Sequence, residues 1–259
     1  MFLDRHEALV ALKESTSDAA LSVKRAAIKD SFWAIRGIGL SLSAKDDSMR
    51  ETVAKMAAED KHSEVRAAAL DQLREVGDKK YLPQIKQALE NDPSPFVQAI
   101  ALEALVEVDP AEAYVFAKKL EDSENSDMLA AVGEIYAGSQ DLDKMPFFEA
   151  KASKLDGYDA IDFMGNYLYL AVSGGDKSIG RAISFLKEMA VDMGQSPWRR
   201  YGATKALSDL RNEYQAAVEA SKEEERNRYT LKVNQLTEIV DFIKKTETNS
   251  QLLQIYGQM

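Results

Sequence analysis

The chain contains no cysteine, so disulfides, thiolate metal sites and cysteine nucleophiles are excluded. That absence fits a cytoplasmic or a periplasmic protein equally and assigns neither. Histidine is nearly as scarce, with His6 and His62 the two in 259 residues. His6 opens His6-Glu7-Ala8-Leu9-Val10, which lacks the second histidine of the H-E-x-x-H zinc motif. His62 falls in a turn with no companion ligand nearby, which reads as a solvated loop histidine. No G-x-S-x-G elbow is present. Gly37-Ile38-Gly39 lies in a helical pattern with no phosphate-loop lysine after it, and reads as a site of close helix packing. No apolar run approaches the roughly 20 residues of a membrane-spanning helix. Met1-Phe2-Leu3-Asp4-Arg5-His6 is amphipathic from its first residues and shows no apolar signal-peptide core. Basic residues are outnumbered, 33 against 43 acidic, and the net charge of −10 argues against a nucleic-acid partner, which needs a basic face. It also argues against a helical-repeat enzyme acting on nucleic acid, such as a glycosylase.

What the chain does have is a recurring phrase. Asp30-Ser-Phe-Trp-Ala-Ile35-Arg36-Gly-Ile-Gly-Leu40 returns as Asp60-Lys-His-Ser-Glu-Val65-Arg66-Ala-Ala-Ala-Leu70. It returns again as Asp92-Pro-Ser-Pro-Phe-Val97-Gln98-Ala-Ile-Ala-Leu102. Starts about thirty residues apart are the period of a helical-hairpin solenoid. Asp30, Asp60 and Asp92 fall where a turn meets a helix start, so their carboxylates are expected to cap orphan N–H groups. Ile35, Val65 and Val97 open an apolar face that Leu40, Leu70 and Leu102 continue. The alanines between them let neighbouring helices approach. Arg36 and Arg66 are placed to reach the aspartate of a stacked neighbour. Ser196-Pro-Trp198-Arg-Arg-Tyr-Gly-Ala203 is a worn fourth copy. The phrase resembles HEAT-type repeats, which implies an architecture rather than an activity.

Apolar spacing predicts helices over 3–13 and 18–29. Pairs follow at 33–43 and 48–58, 64–76 and 80–91, 95–107 and 110–121, then 126–137 and 144–155. No segment alternates with period two, so the class is all-α, an α–α superhelix of HEAT/ARM-like hairpins. From about residue 156 the character changes. Gly157–Leu170 is aromatic-rich and nearly uncharged beyond its first turn, as expected of a helix buried on several sides or lining a groove. Gly174-Gly175 turns the chain into a helix over 179–193, and another follows Pro197. Tyr229, Val233, Leu236, Val240 and Ile243 form an amphipathic seam. The expectation is one helical-repeat domain over 1–259, with hairpins to about 155 and longer antiparallel helices from about 156. The last stretch, Thr248–Met259, reads as a short helix or a frayed tail. The repeat pattern begins with no polar capping segment ahead of it, which suggests a fragment of a longer protein.

Two clusters carry a functional reading. Tyr158, Phe163, Tyr167 and Tyr169 either line a peptide groove or pack in a core. Trp198-Arg199-Arg200-Tyr201 places two guanidiniums beside aromatics, suited to a peptide carboxylate. The alternative there is a core tryptophan with arginines paired to surface acids. Asp141 with Asp143, and Asp156, Asp159 and Asp162, offer oxygens to a hard cation but lack the glycine and glutamate of a calcium loop. Capping explains them more simply, and Glu223-Glu224-Glu225 reads as a solvated face.

Several runs, in order, carry a family resemblance. They are Asp4-Arg5-His-Glu-Ala-Leu9, Lys29-Asp30-Ser-Phe32-Trp33-Ala-Ile35-Arg36, Ser63-Glu-Val-Arg-Ala-Ala-Ala69, Tyr158-Asp-Ala-Ile-Asp-Phe163, Ala206-Leu-Ser-Asp-Leu210 and Asn234-Gln-Leu-Thr-Glu-Ile-Val240. Together they resemble the C-terminal helical domain of bacterial zinc aminopeptidases of the aminopeptidase N (membrane alanyl aminopeptidase) family. The resemblance implies a non-catalytic bowl of helices that covers the active site of a peptidase domain in the same polypeptide and shapes the peptide-access chamber. The zinc, its H-E-x-x-H ligands and the G-x-M-E-N stretch would lie in sequence absent here, so no catalytic, metal or cofactor residue is carried over. Arg199, Arg200, Tyr201, Tyr158, Tyr167 and Tyr169 are the expected chamber-facing residues. The competing expectation is a stand-alone HEAT scaffold for protein–protein interaction.

Overall fold

A computed structural model describes residues 2–44 and 46–259. The chain is an all-α solenoid of helical hairpins in which two long helices and one short helix come last, with no strand among the described residues. Its contacts divide it into two compact units, one ending at Leu120 and the other running from Glu121 to Met259. The division falls ahead of the change of character near residue 156, because the helix over Ser126–Ser139 packs on the one over Gly157–Ser173.

The first unit holds α1 (Phe2–Ala11), α2 (Asp18–Ala27), α3 (Trp33–Ser43), α4 (Arg50–Glu59), α5 (Ser63–Val76), α6 (Leu82–Asn91), α7 (Pro95–Val108) and α8 (Pro110–Leu120). Hairpins form between α2 and α3, α4 and α5, and α6 and α7, while α3, α5 and α7 stack into one layer. Ile35, Leu40, Val65, Leu70, Val97 and Leu102, the apolar positions of the recurring phrase, are buried. Close packing explains Gly39. A Cβ there would stand 2.8 Å from the Ile28 backbone nitrogen. Gly37 meets nothing within 4 Å, so the packing argument holds for one glycine of the pair. The periodicity of α1 overstated its burial. Leu9 is buried, whereas Leu3 is 64% exposed.

The aspartates of the phrase sit differently from N-caps. The cap positions of α3, α5 and α7 are Phe32, His62 and Ser94. Asp30, Asp60 and Asp92 stand two residues earlier and accept the backbone N–H of those cap residues at 2.8, 2.9 and 2.9 Å, closing a turn ahead of each helix. This leaves most of each carboxylate for an arginine. Arg5 donates to Asp30, Arg36 to Asp60 through two bonds of 2.7 Å, and Arg66 to Asp92 at 2.6 and 2.9 Å. Arg36 also donates to the Asp30 carbonyl and Arg66 to the Asp60 carbonyl, at 2.9 and 2.8 Å. Gln98 repeats only the second contact, to the Asp92 carbonyl at 3.0 Å. His62 is no solvated loop residue. Its Nδ1 accepts the Glu64 N–H, and its ring stacks on Trp33 at 4.1 Å.

The second unit holds α9 (Ser126–Ser139), α10 (Met145–Lys151), α11 (Gly157–Ser173), α12 (Asp176–Val191), α13 (Pro197–Ala220), α14 (Glu223–Thr246) and α15 (Ser250–Tyr256). Helix α11 is its axis, packed by α9, α12 and α13. Phe148, Phe163 and Tyr167 form an aromatic core around it, with ring centroids 4.8 to 5.6 Å apart. Gly202 sets the α11–α13 approach, since a Cβ there would lie 2.9 Å from the Ile161 Cα. Ser250–Tyr256 is a docked helix rather than a frayed tail, with Leu252 and Tyr256 buried. Its anchor is Glu247, whose carboxylate accepts from Arg200 at 3.0 and 3.1 Å and from the N–H groups of Thr248 and Asn249 at 2.8 and 2.7 Å.

Candidate binding groove

The starts of α11 and α13 are tied together by short polar side chains. Ser196, the N-cap of α13, accepts the Arg199 N–H at 3.3 Å and donates its hydroxyl to Asp156 at 2.6 Å. Arg199 Nε donates to the Leu155 carbonyl at 2.7 Å. With both helix starts fixed side by side and α15 laid across them, a hollow of about 730 Å³ opens. Its walls are Tyr158 and Ile161 of α11, Pro197, Trp198 and Tyr201 of α13, and Leu252 and Ile255 of α15. Asp162 and Lys205 stand at its edge, and both also line a second hollow of about 410 Å³ with Glu134, Gly165 and Asp209. The shared residues Ile161, Asp162 and Lys205 make the two hollows one groove along α11 and α13.

Its apolar end is uncovered. Tyr158 is 76% exposed and Trp198 42%, with ring centroids 5.4 Å apart. The charged edge is acidic. Lys205 is paired with Asp209 at 2.6 Å, and Asp162 has no ion-pair or hydrogen-bond partner among the described residues. Burial first, and then the like charges of Asp127 and Asp162, raise the Asp159 carboxyl above the usual range.

Of the residues singled out in the sequence, the fold brings Tyr158 and Tyr201 into this groove. Tyr169 is exposed on α11 about one turn beyond Gly165 and does not line the groove. Tyr167 and Arg200, expected to face a chamber, are instead interior. Tyr167 is buried and donates to Glu149 at 2.6 Å, and burial with that carboxylate raises its pKa. The Arg200 side chain is 6% exposed and its partner Glu247 is fully covered. Arg199 closes the joint between helix starts rather than presenting a guanidinium to a peptide. Trp198 lies outside the core, against the core reading of that residue. Leu252 and Ile255 were missed, and their i, i+3 spacing was the available signal. Asp156 accepts the Ser196 hydroxyl, and Asp141 caps the short turn after it by accepting the Asp143 N–H at 3.1 Å. Among the described residues no three histidine, aspartate or glutamate side chains are grouped to hold a metal ion, and no helix is long and apolar enough to cross a membrane.

A family model of HEAT repeats matches residues 29–106 and 50–135. Residues 29–135 carry HEAT repeats. The matched residues take in α3 to α8 and most of α9, including the Arg36–Asp60 and Arg66–Asp92 joints. Of the groove residues, Glu134 falls at the end of the matched stretch, and those from 156 to 255 lie beyond it. Among curated proteins no sequence matches the chain.

Proposed function

We propose that the chain is a non-catalytic helical-repeat scaffold that docks a polypeptide segment of a partner in the α11–α13 groove. The observation that carries this reading is the uncovered pair Tyr158 and Trp198, standing over a hollow walled by Ile161, Leu252 and Ile255. Aromatic side chains left exposed beside a concave apolar wall mark a binding surface, and such residues dominate interface energetics. The packing of α9, α12 and α13 around α11 supplies the frame that holds the groove open. The test is peptide binding to the chain and to its Tyr158→Ala, Trp198→Ala double variant. Both side chains are exposed, so the double variant is expected to keep its helical circular dichroism and lose binding by tenfold or more. A folded double variant that binds as well as the parent would refute the reading.

A narrower version is supported by the ordered runs that resemble the end domain of aminopeptidase N-type enzymes. In that version the partner is the peptidase domain of the same polypeptide, and zinc belongs to that domain. The groove then belongs to the wall of the peptide-access chamber. Sequencing the DNA immediately upstream tests it. An open frame carrying H-E-x-x-H and G-x-M-E-N is the expected result, and a stop codon with a ribosome-binding site there would remove this version while leaving the scaffold reading intact.

A further inference from the structure

The groove is apolar at one end and acidic along the other, and that asymmetry has chemical content. The lining of the two joined hollows includes Asp156, Asp162, Glu134 and Asp209 against the single cation Lys205, which Asp209 already holds. Behind this edge stand Asp127 and Asp159, and neither side chain has a partner among the described residues. Burial raises the Asp159 carboxyl first, and the neighbouring charges of Asp127 and Asp162 raise it further. At the acidic end the floor is Gly165, in the middle of α11, where an added Cβ would meet nothing within 4 Å. Glycine is disfavoured inside a helix, and internal packing does not explain it here. An open glycine in a groove floor admits the close approach of another backbone.

We infer, on the basis of the docking reading above, that the occupant is an extended polypeptide segment with an aromatic or large aliphatic anchor followed by a lysine or arginine. Its anchor fills the Tyr158–Trp198 end, and the cation lies over Asp162 and Glu134. The spacing follows from geometry. Asp162 is four residues and Gly165 seven residues along α11 from Tyr158, about 6 to 10 Å at the helical rise. An extended chain covers that distance in two or three residues. The basic side chain therefore stands two or three positions from the anchor.

The experiment uses the full chain and four fluorescein-labelled ten-residue peptides in a glycine–serine background. They carry tryptophan with lysine, tryptophan with glutamine, tryptophan with glutamate, or alanine with lysine, each pair two positions apart. Anisotropy titration at low salt is expected to rank the tryptophan–lysine peptide first. Its margin should be about threefold over tryptophan–glutamine and about tenfold over tryptophan–glutamate, and should shrink in about 0.5 M salt. Asp162→Asn, an isosteric change at an exposed residue, is expected to abolish most of the margin of the tryptophan–lysine peptide over tryptophan–glutamine. Equal binding of the lysine, glutamine and glutamate peptides, or a lysine margin untouched by Asp162→Asn, would overturn the inference and leave the docking reading standing. If no tryptophan peptide binds, or Trp198→Ala binds them all as the parent does, the docking reading falls as well.

Discussion

Replacing Glu247 by glutamine keeps the side-chain volume and removes one charge from a site that excludes water. The Glu247 side chain is fully covered and that of Arg200 is 6% exposed. In the parent, the carboxylate accepts two guanidinium bonds and two backbone N–H groups. In Glu247→Gln, the amide brings its own donors against those of Arg200, whose cation stays buried without a counterion. Breaking one side of such a pair costs about 3 to 5 kcal/mol. With a urea slope near 2 kcal/mol per molar, the unfolding midpoint of the second unit should fall by about 1.5 to 2.5 M. Trp33 and Trp198 are the two tryptophans, one in each unit, so Trp33→Phe leaves Trp198 as the fluorescent reporter of this unit. The pH dependence is a second check. Burial raises the Glu247 carboxyl, but the Asn249 and Thr248 N–H groups and Arg200 outweigh it and hold it below the usual range. A carboxyl lowered in the folded state contributes fully above its unfolded pKa of about 4.3 and loses that contribution as pH falls through the folded value. The gap between parent and Glu247→Gln should therefore narrow on acidification below about pH 4. The Arg200→Met, Glu247→Leu double variant, which removes both charges, should recover much of the loss. An unchanged midpoint in Glu247→Gln, or a gap that stays constant from neutral pH to about pH 3, would refute the reasoning.

The joints of the first unit should differ according to burial. Arg66→Ala, at a pair whose side chains are 10% and 6% exposed, is expected to cost about 3 kcal/mol, whereas Arg5→Ala, at a 44% exposed arginine, should cost less than about 1 kcal/mol by urea unfolding. The two helix glycines should respond with opposite signs. Gly202→Ala drives a Cβ to 2.9 Å from the Ile161 Cα and should lower thermal stability by about 1 to 3 kcal/mol. Gly165→Ala enters open space and should raise it by up to about 1 kcal/mol. The same Gly165→Ala is expected to weaken peptide binding, so a variant that gains stability and loses affinity separates the two roles.

The sequence made the first unit legible because its residues occur in register. Three aspartates at matching positions, each followed by a β-branched residue and then a leucine, state a helix, its face and its neighbour together. The second unit lacks that redundancy. Helical spacing marked Tyr158, Tyr167 and Tyr169 as one aromatic cluster, but α11 has neighbours on several sides. Position alone could not tell that Tyr167 points into the Phe148–Phe163 core while Tyr158 points out. Trp198 reads as core because tryptophan is large and apolar, yet the lock between Ser196 and Asp156 holds the helix start at the rim of the groove. Glu247 carried no signal, since its partner lies 47 residues earlier and Glu247 itself belongs to no copy of the phrase. Leu252 and Ile255 acquire meaning only once that pair has pinned α15 across the helix starts.

Consider finally the joint between successive hairpins as a unit of growth. The first two copies of the phrase carry both halves of a connector, an incoming anion at Asp30 or Asp60 and an outgoing cation at Arg36 or Arg66. A segment one period long, duplicated in tandem or excised, leaves every connector matched. An insertion out of phase strands an arginine against apolar surface. An array assembled in this way lengthens by copying itself, without new complementarity having to arise at each seam. Gln98 marks where the series stops. It keeps the backbone contact to Asp92 but has no cation to offer onward, so the chain beyond it is free to pack by other means.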